Sequence, residues 1–292
     1  MDNITAKVSC FVRAYHYRND PAPVFADAVA SLLLGAEYDQ IAQSMAQGID
    51  FFLPDFHGSP EEGLRLIVER QLAPSVLGRS AYCESLLARE QRLGCGQYVI
   101  FASGYDTFAI RNSDAAPRVF ELDLPELLAE KLEKTEKAGL RTQAVCVPCG
   151  LTDDAWPDKL TASGFDPAVK AFAGLLGISY YLDKPEFRRL LKNLSGIFCA
   201  GSSVCFDYPS ADDSPESLTN RALAAGAGER MKASYTAPEL EDLLAEVGFL
   251  VYEQLEPEEM TGRFFVGHNR RCPSRLMTAP RGVCYVHAVR TR

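Results

Sequence analysis

The residue types best suited to chemistry in this chain cluster between positions 97 and 125, in QYVIFASGYDTFAIRNSDAAPRVFELDLP. A turn of small residues, Ala102-Ser103-Gly104, is followed by Asp106 and Thr107, and a single acid, Asp123, closes a second apolar run. Small residues let a backbone approach a ligand closely, and a carboxylate at the end of the neighbouring strand accepts hydrogen bonds from ribose hydroxyls. That pairing is the chemistry of binding a nucleoside-containing molecule. Both acids also have a plainer role open to them. Asp106 can cap the helix that follows it, and Asp123 precedes Leu124-Pro125-Glu126, a sequence suited to a helix start.

For this chemistry the turn and the acid must sit at adjacent strand ends. Residues 98–102 and 119–122 are apolar runs of the length of buried parallel strands. Further apolar runs at 144–147, 169–177 and 203–206 alternate with helical patterns near 107, at 126–138, 155–162 and 185–194, and at 236–247. Two last strand-like runs, 249–255 and 283–289, have no helical pattern between them, and they predict an antiparallel hairpin around a long irregular excursion, 256–281. The expectation is an α/β fold, a doubly wound, mostly parallel seven-stranded sheet with an antiparallel C-terminal hairpin. Residues 1–95 read as a helical N-terminal cap of the same domain, with helices at 25–34, 61–72 and 82–93. Residues 96–292 read as the ligand-binding part, with 256–281 as a lid insertion.

Bulk properties narrow the function further. A formal net charge of −9 across 292 residues argues against nucleic acid as a partner, because phosphate binding draws on clustered Lys and Arg. No stretch approaches the ~20 apolar residues of a membrane span. The start, MDNITAKVSC, lacks the pattern of an export signal, so the expected location is cytoplasmic, with reduced thiols at the nine cysteines. Cys146 and Cys149 form a C-x-x-C, but no second pair accompanies them and the four histidines are scattered; no metal site is expected.

The segments FASGYDTFAIR and VFELDLPELLAEK resemble the leucine carboxyl methyltransferase-like proteins, a branch of the class I S-adenosylmethionine-dependent methyltransferases with a Rossmann-like fold. GRSAYCESLL, VPCGLTDDAW, GLLGISYYL, VCFDYP and YTAPELEDLLAEVGF extend the resemblance over most of the chain. The resemblance implies S-adenosylmethionine as cofactor and assigns residues to it. Arg79 would hold the methionine carboxylate. Ala102, Ser103 and Gly104 would form the turn beneath that moiety, with Asp106 beside it. Asp123 would take the ribose hydroxyls, Gly150 and Leu151 would flank the adenine, and Leu176 would reach the cofactor from the fourth strand. Three positions depart from the family pattern: Ala102 replaces a glycine, Gly150 an aspartate and Leu176 a glutamate. Asp153 or Asp154 stands close enough in sequence to supply the adenine contact instead.

The reaction implied is methyl transfer to a hydroxyl or carboxyl oxygen of a small molecule. A carboxylate acceptor needs no base, and Arg263 or Arg13 could orient it. A hydroxyl acceptor is helped by a base, for which His268 and His16 are candidates. The catalytic candidates are thus Tyr181, Arg263 and His268, with Tyr180, Tyr208, Phe264 and Phe265 as further aromatic neighbours. Two alternatives stand beside this reading: a protein-directed carboxyl methyltransferase and a non-catalytic binding protein of the same fold. A nicotinamide oxidoreductase fits poorly, since no G-x-G-x-x-G is present.

Overall fold

The structure, a computed structural model, describes residues 4–112, 117–211 and 231–291. Its strands are β1 (Gln97–Phe101), β2 (Arg118–Asp123), β3 (Val145–Pro148), β4 (Ala171–Leu175), β5 (Ser203–Pro209), β6 (Phe249–Leu255) and β7 (Val283–Arg290). They form one seven-stranded sheet in the order β3-β2-β1-β4-β5-β7-β6. Neighbours from β3 to β5 pair in parallel, and β7 lies antiparallel between β5 and β6. This is the expected doubly wound α/β sheet, with β7 its single reversed strand. The strand order turns back between β1 and β4, and ligands of such sheets bind outside the carboxyl ends at that point. β1 and β4 are buried along their whole length, which is why they read as unbroken apolar runs. On the edge strand β6, Leu250 and Tyr252 face water.

The helices are α1 (Ile4–Asn19), α2 (Ala30–Leu34), α3 (Glu37–Gln47), α4 (Ile49–Phe52), α5 (Pro60–Ile67), α6 (Ala73–Arg92), α7 (Phe108–Arg111), α8 (Pro125–Lys137), α9 (Trp156–Ala162), α10 (Lys184–Ile197), α11 (Ala237–Glu246), α12 (Pro257–Met260) and α13 (Val266–Arg271). Successive residues of β1 divide between two apolar layers. Tyr98 and Ile100 join α1, α2 and α6 on one side, and Val99 and Phe101 join α9, α10 and α11 on the other.

α3 and α4 lie outside the helices expected in residues 1–95, and four further elements differ from the sequence pattern for an identifiable physical reason. The helix predicted over 25–34 starts only at Ala30, because the Asp27 carboxylate takes the Val29 and Ala30 N–H groups and holds the preceding residues out of the helix. The helix predicted over 82–93 begins earlier, at Ala73, with Pro74 in its first turn, and a π-helical turn, Val68–Leu72, joins it to α5. α1 gave no clear signal because Cys10 through Ala14 are all buried, so its second half has no polar face to mark the helical period. The excursion expected to be irregular is helical. Pro257 opens α12, a π-helical turn, Thr261–Phe265, follows, and α13 completes it. The extra residue of a π turn breaks the 3.6-residue repeat, so the buried Met260, Phe265 and His268 do not read as one face.

Candidate functional site

The turn after β1 is built around two left-handed residues, Ala102 (φ +45°) and Gly104 (φ +49°). For alanine that conformation costs roughly 1–2 kcal/mol. The turn is held by Asp123 at the end of β2. Gly104 N–H donates to Asp123 Oδ2 at 2.7 Å and Leu124 N–H donates to Oδ1 at 2.8 Å. Asp123 is 9% exposed, and burial raises its carboxyl pKa, partly offset by these two backbone donors. Asp123 is therefore more than the start of α8; it ties two strand ends together. Asp106 does take the capping role, since its Oδ1 accepts from Phe108 N–H at 2.8 Å at the start of α7. Ser103 Oγ is buried without a hydrogen-bond partner.

The N-terminal helices are fastened to this turn through Asp27, which is fully buried. Its carboxylate receives Arg13 Nε at 2.9 Å and the Thr107 hydroxyl at 2.7 Å. Burial works to raise the Asp27 pKa, but Arg13, Thr107 and Arg111 together hold the carboxyl below its ordinary value. Arg13 Nη2 also donates to Tyr105 O at 2.6 Å. Neither Asp27 nor this network was foreseen from the sequence.

Across the switch point, β4 ends at Leu175 and is followed by Leu176 and Gly177. Gly177 has φ +67°, and a Cβ there would lie 2.7 Å from Arg79 Nη1 and 2.9 Å from its Cζ. The guanidinium of Arg79, brought in by α6, thus lies directly over a residue that must be glycine. Beneath both is Asp207 of β5, fully buried. Gly177 N–H donates to Asp207 Oδ1 at 2.7 Å, and the Tyr180 hydroxyl donates to Oδ2 at 2.9 Å.

A cavity of about 240 Å³ lies between these strand ends and the face of α1. Of the residues implied for the cofactor, Arg79, Ala102, Ser103, Gly104, Asp106, Leu151 and Leu176 line it. Asp123 stands behind the turn through its bond to Gly104, and Gly150 adjoins Leu151, with nothing within 4 Å of where a side chain would start. Asp153 and Asp154 do not replace the missing acid. They face outward, paired with Lys159 at 2.8 Å and Arg189 at 3.0 Å.

Of the acceptor-side candidates, Tyr181 and Arg13 line the cavity. Arg263 and His268 do not, which corrects the expectation for the excursion. Arg263 pairs with Glu253 at 2.9 Å and lies over the Phe264 ring. His268 is buried, with Nδ1 2.9 Å from Asp20 Oδ2 and Nε2 2.9 Å from Arg275 O. The excursion docks on α6, the π turn before it and α1 rather than over the cavity: Phe265 packs at Gly78, Phe264 meets Tyr82 edge-on, Arg275 reaches Glu69 at 2.8 Å, and the His268 ring lies 5.7 Å from that of His16. His16 is likewise spent, its Nε2 accepting from Val24 N–H at 2.9 Å. Tyr208 is core, packed against Tyr235.

His16, Asp20 and His268 place ligand-type atoms within 4.8 Å of one another. The Arg275 guanidinium already pairs with Asp20 at 3.2 Å, which disfavours a second cation there. Burial pushes His16 down to about 4, against an opposing pull from Asp20, in keeping with a neutral ring that accepts a hydrogen bond. The cluster joins α1 to α13. In the C-x-x-C, burial pushes the Cys149 thiol up to about 11, far from a reactive thiolate.

The chain is similar to known proteins in sequence and in fold. Residues 6–195 match the model of the family described as leucine carboxyl methyltransferase. A Bacillus subtilis protein, YktD, named as a candidate S-adenosyl-L-methionine-dependent methyltransferase, is 35% identical over 99% of this chain and 98% of its own length. A similarly named protein from Mycolicibacterium paratuberculosis is 30% identical over 64% of this chain and 58% of its own. Among solved structures, a candidate methyltransferase from Thermobifida fusca superposes with a TM-score of 0.57, covering 94% of this chain and 95% of that one at 16% identity, a likeness of fold.

Proposed function

The chain belongs to the leucine carboxyl methyltransferase family and is an S-adenosylmethionine-dependent methyltransferase, and we propose that it methylates a hydroxyl or carboxyl oxygen of a small molecule. No helix among the described residues is long and apolar enough to cross a membrane. The observation that supports the small-molecule reading is the cover that α1 lays over the turn after β1. α1 lies so close that a Cβ on Gly104 would be 3.1 Å from the Ala6 methyl, and the space beneath the helix is about 240 Å³. A concave space between a helix and strand ends takes small molecules rather than the surface of a folded protein.

The residues present fit the cofactor. Ser103 Oγ is an orphaned buried polar atom at the turn, Arg79 is a cation at the cavity wall, and Asp123 is a carboxylate directly behind the turn. Bound S-adenosylmethionine supplies a methyl group on a reactive sulfonium. The protein's task is then chiefly alignment and exclusion of water. Arg79 would hold the methionine carboxylate with its planar fork, and Asp123 would accept from the ribose hydroxyls while keeping Gly104 in place. Leu151 and Leu176 would supply apolar contact. On the acceptor side, Tyr181 and α1 form the wall. Arg13, whose nitrogens are taken up by Asp27, Ser9 O and Tyr105 O, lends that wall a fixed positive charge. Among the described lining residues Asp106 is the only carboxylate, and so the one placed to take a proton from a hydroxyl.

Labelled S-adenosylmethionine tests the reading. Methyl incorporation into a panel of small carboxylic acids, alcohols and phenols, set against peptides with free C-termini, is expected to fall among the small molecules. Incorporation confined to peptides or proteins would overturn it.

A further inference from the structure

We propose that Asp207 is a positioning residue for the methyl-donor site: it sets the place of the Arg79 guanidinium and of the Leu176-Gly177 backbone without touching the ligand. The inference rests on the reading of Arg79 as the holder of the cofactor carboxylate. Asp207 does not line the cavity, yet its contacts converge on residues that do. Oδ1 receives Gly177 N–H at 2.7 Å, and Oδ2 lies 3.7 Å from Arg79 Nη1. Among the described residues it is the carboxylate within ion-pair distance of Arg79.

The 3.7 Å separation matters. It is too long for a hydrogen bond, so the buried negative charge restrains the guanidinium while its N–H donors stay available for a ligand carboxylate. Direct bidentate pairing would have consumed them. The same carboxylate fixes the opposite wall. Tyr180 donates its hydroxyl to Oδ2, and Ser179 Oγ donates to the Asp207 backbone O at 2.6 Å, which secures the 3-10 turn Ser179–Tyr181 that carries Tyr181 to the cavity. A fully buried carboxylate left without such partners would be strongly unfavourable. Here the burial is compensated by groups that all serve one site.

A double-mutant cycle read by calorimetric binding of S-adenosylhomocysteine tests this, with melting temperature recorded for each variant. Arg79→Met is expected to weaken binding by ~30-fold and Asp207→Asn by ~10-fold, in line with lost charge-assisted contacts. The double variant should bind within about twofold of Arg79→Met alone, because Asp207 acts through the guanidinium. Losses that multiply would overturn the positioning role while leaving the assignment of Arg79 intact. Equal affinities for the parent and Arg79→Met would overturn the assignment of Arg79 and the positioning role together. Should Asp207→Asn fail to fold, Tyr180→Phe removes one donor and keeps the charge. It should weaken binding by about threefold in the parent and not at all beside Arg79→Met, and an equal loss in both backgrounds overturns the proposal. None of these readouts depends on the acceptor, so they stand apart from the test of the small-molecule reading.

Discussion

The two halves of the site use the same device in different settings. At β1 and β2, Asp123 accepts at 2.7 Å from the N–H of a left-handed glycine, Gly104, in the neighbouring strand's turn. At β4 and β5, Asp207 does the same for Gly177, also at 2.7 Å. Both carboxylates lock a turn that glycine alone can form comfortably. The settings then diverge. Asp123, 9% exposed, takes a second backbone donor, Leu124, and in the proposed function meets the ribose hydroxyls. Asp207 is sealed beneath Arg79 and Tyr180 and acts through them. A strand-end carboxylate can thus serve as ligand holder or as foundation, and its burial decides which.

The largest effect should come from Gly177→Ala. The new methyl would need a left-handed backbone and would enter the space of the Arg79 guanidinium. We expect S-adenosylhomocysteine affinity to fall by about 30-fold or more, as when Arg79 itself is lost, with about 1–2 kcal/mol of stability lost to backbone strain. Near-parent affinity by calorimetry would mean that the guanidinium does not need its present seat.

Asp123→Ala comes next. It removes a ribose acceptor and the clamp on Gly104, so affinity should drop by at least tenfold, about 1.4 kcal/mol. If the comparison holds, the loss is largest for ligands that keep both ribose hydroxyls and shrinks for a 2′,3′-dideoxy analogue. The loss caused by Asp207→Asn should be the same for both ligands. A matching response from the two acids would erase the distinction between holder and foundation.

The two halves also differ in how far the sequence revealed them. Gly104 and Asp123 lie on consecutive strands, so a short window contains the turn, the acid and the apolar runs that bring them together. The second half joins Arg79 of α6, Gly177 after β4 and Asp207 of β5. No local period connects such distant positions. Resemblance to the family pointed to Arg79, whereas Asp207 lies within VCFDYP with nothing local to mark its partners. The sheet itself was legible because fully buried parallel strands are unbroken apolar runs. α1 and the helical excursion were hidden by burial on all sides and by a π turn that shifts the helical repeat. Read as irregular, the excursion was expected to bring Arg263 and His268 near the acceptor, whereas Arg263 pairs with Glu253 of β6 and His268 packs against His16 of α1.

The smallest expected effect separates turn strain from ligand binding. Ala102 sits at φ +45° where the resembling family has glycine, yet its methyl is exposed at the cavity wall and blocks nothing in the turn. Replacing it by glycine removes roughly 1–2 kcal/mol of strain, offset by about 0.5–1 kcal/mol of added freedom in the unfolded chain. The net gain of about 0.5–1 kcal/mol should raise the melting temperature by about 1–3 °C. Affinity for S-adenosylhomocysteine should change by less than about twofold, because Asp123 rather than residue 102 holds Gly104. A destabilised Ala102→Gly would mean that the alanine makes a contact outweighing its strain. A large change in affinity would shift the weight at this end of the site from the carboxylate to the turn, and with it the parallel to Asp207.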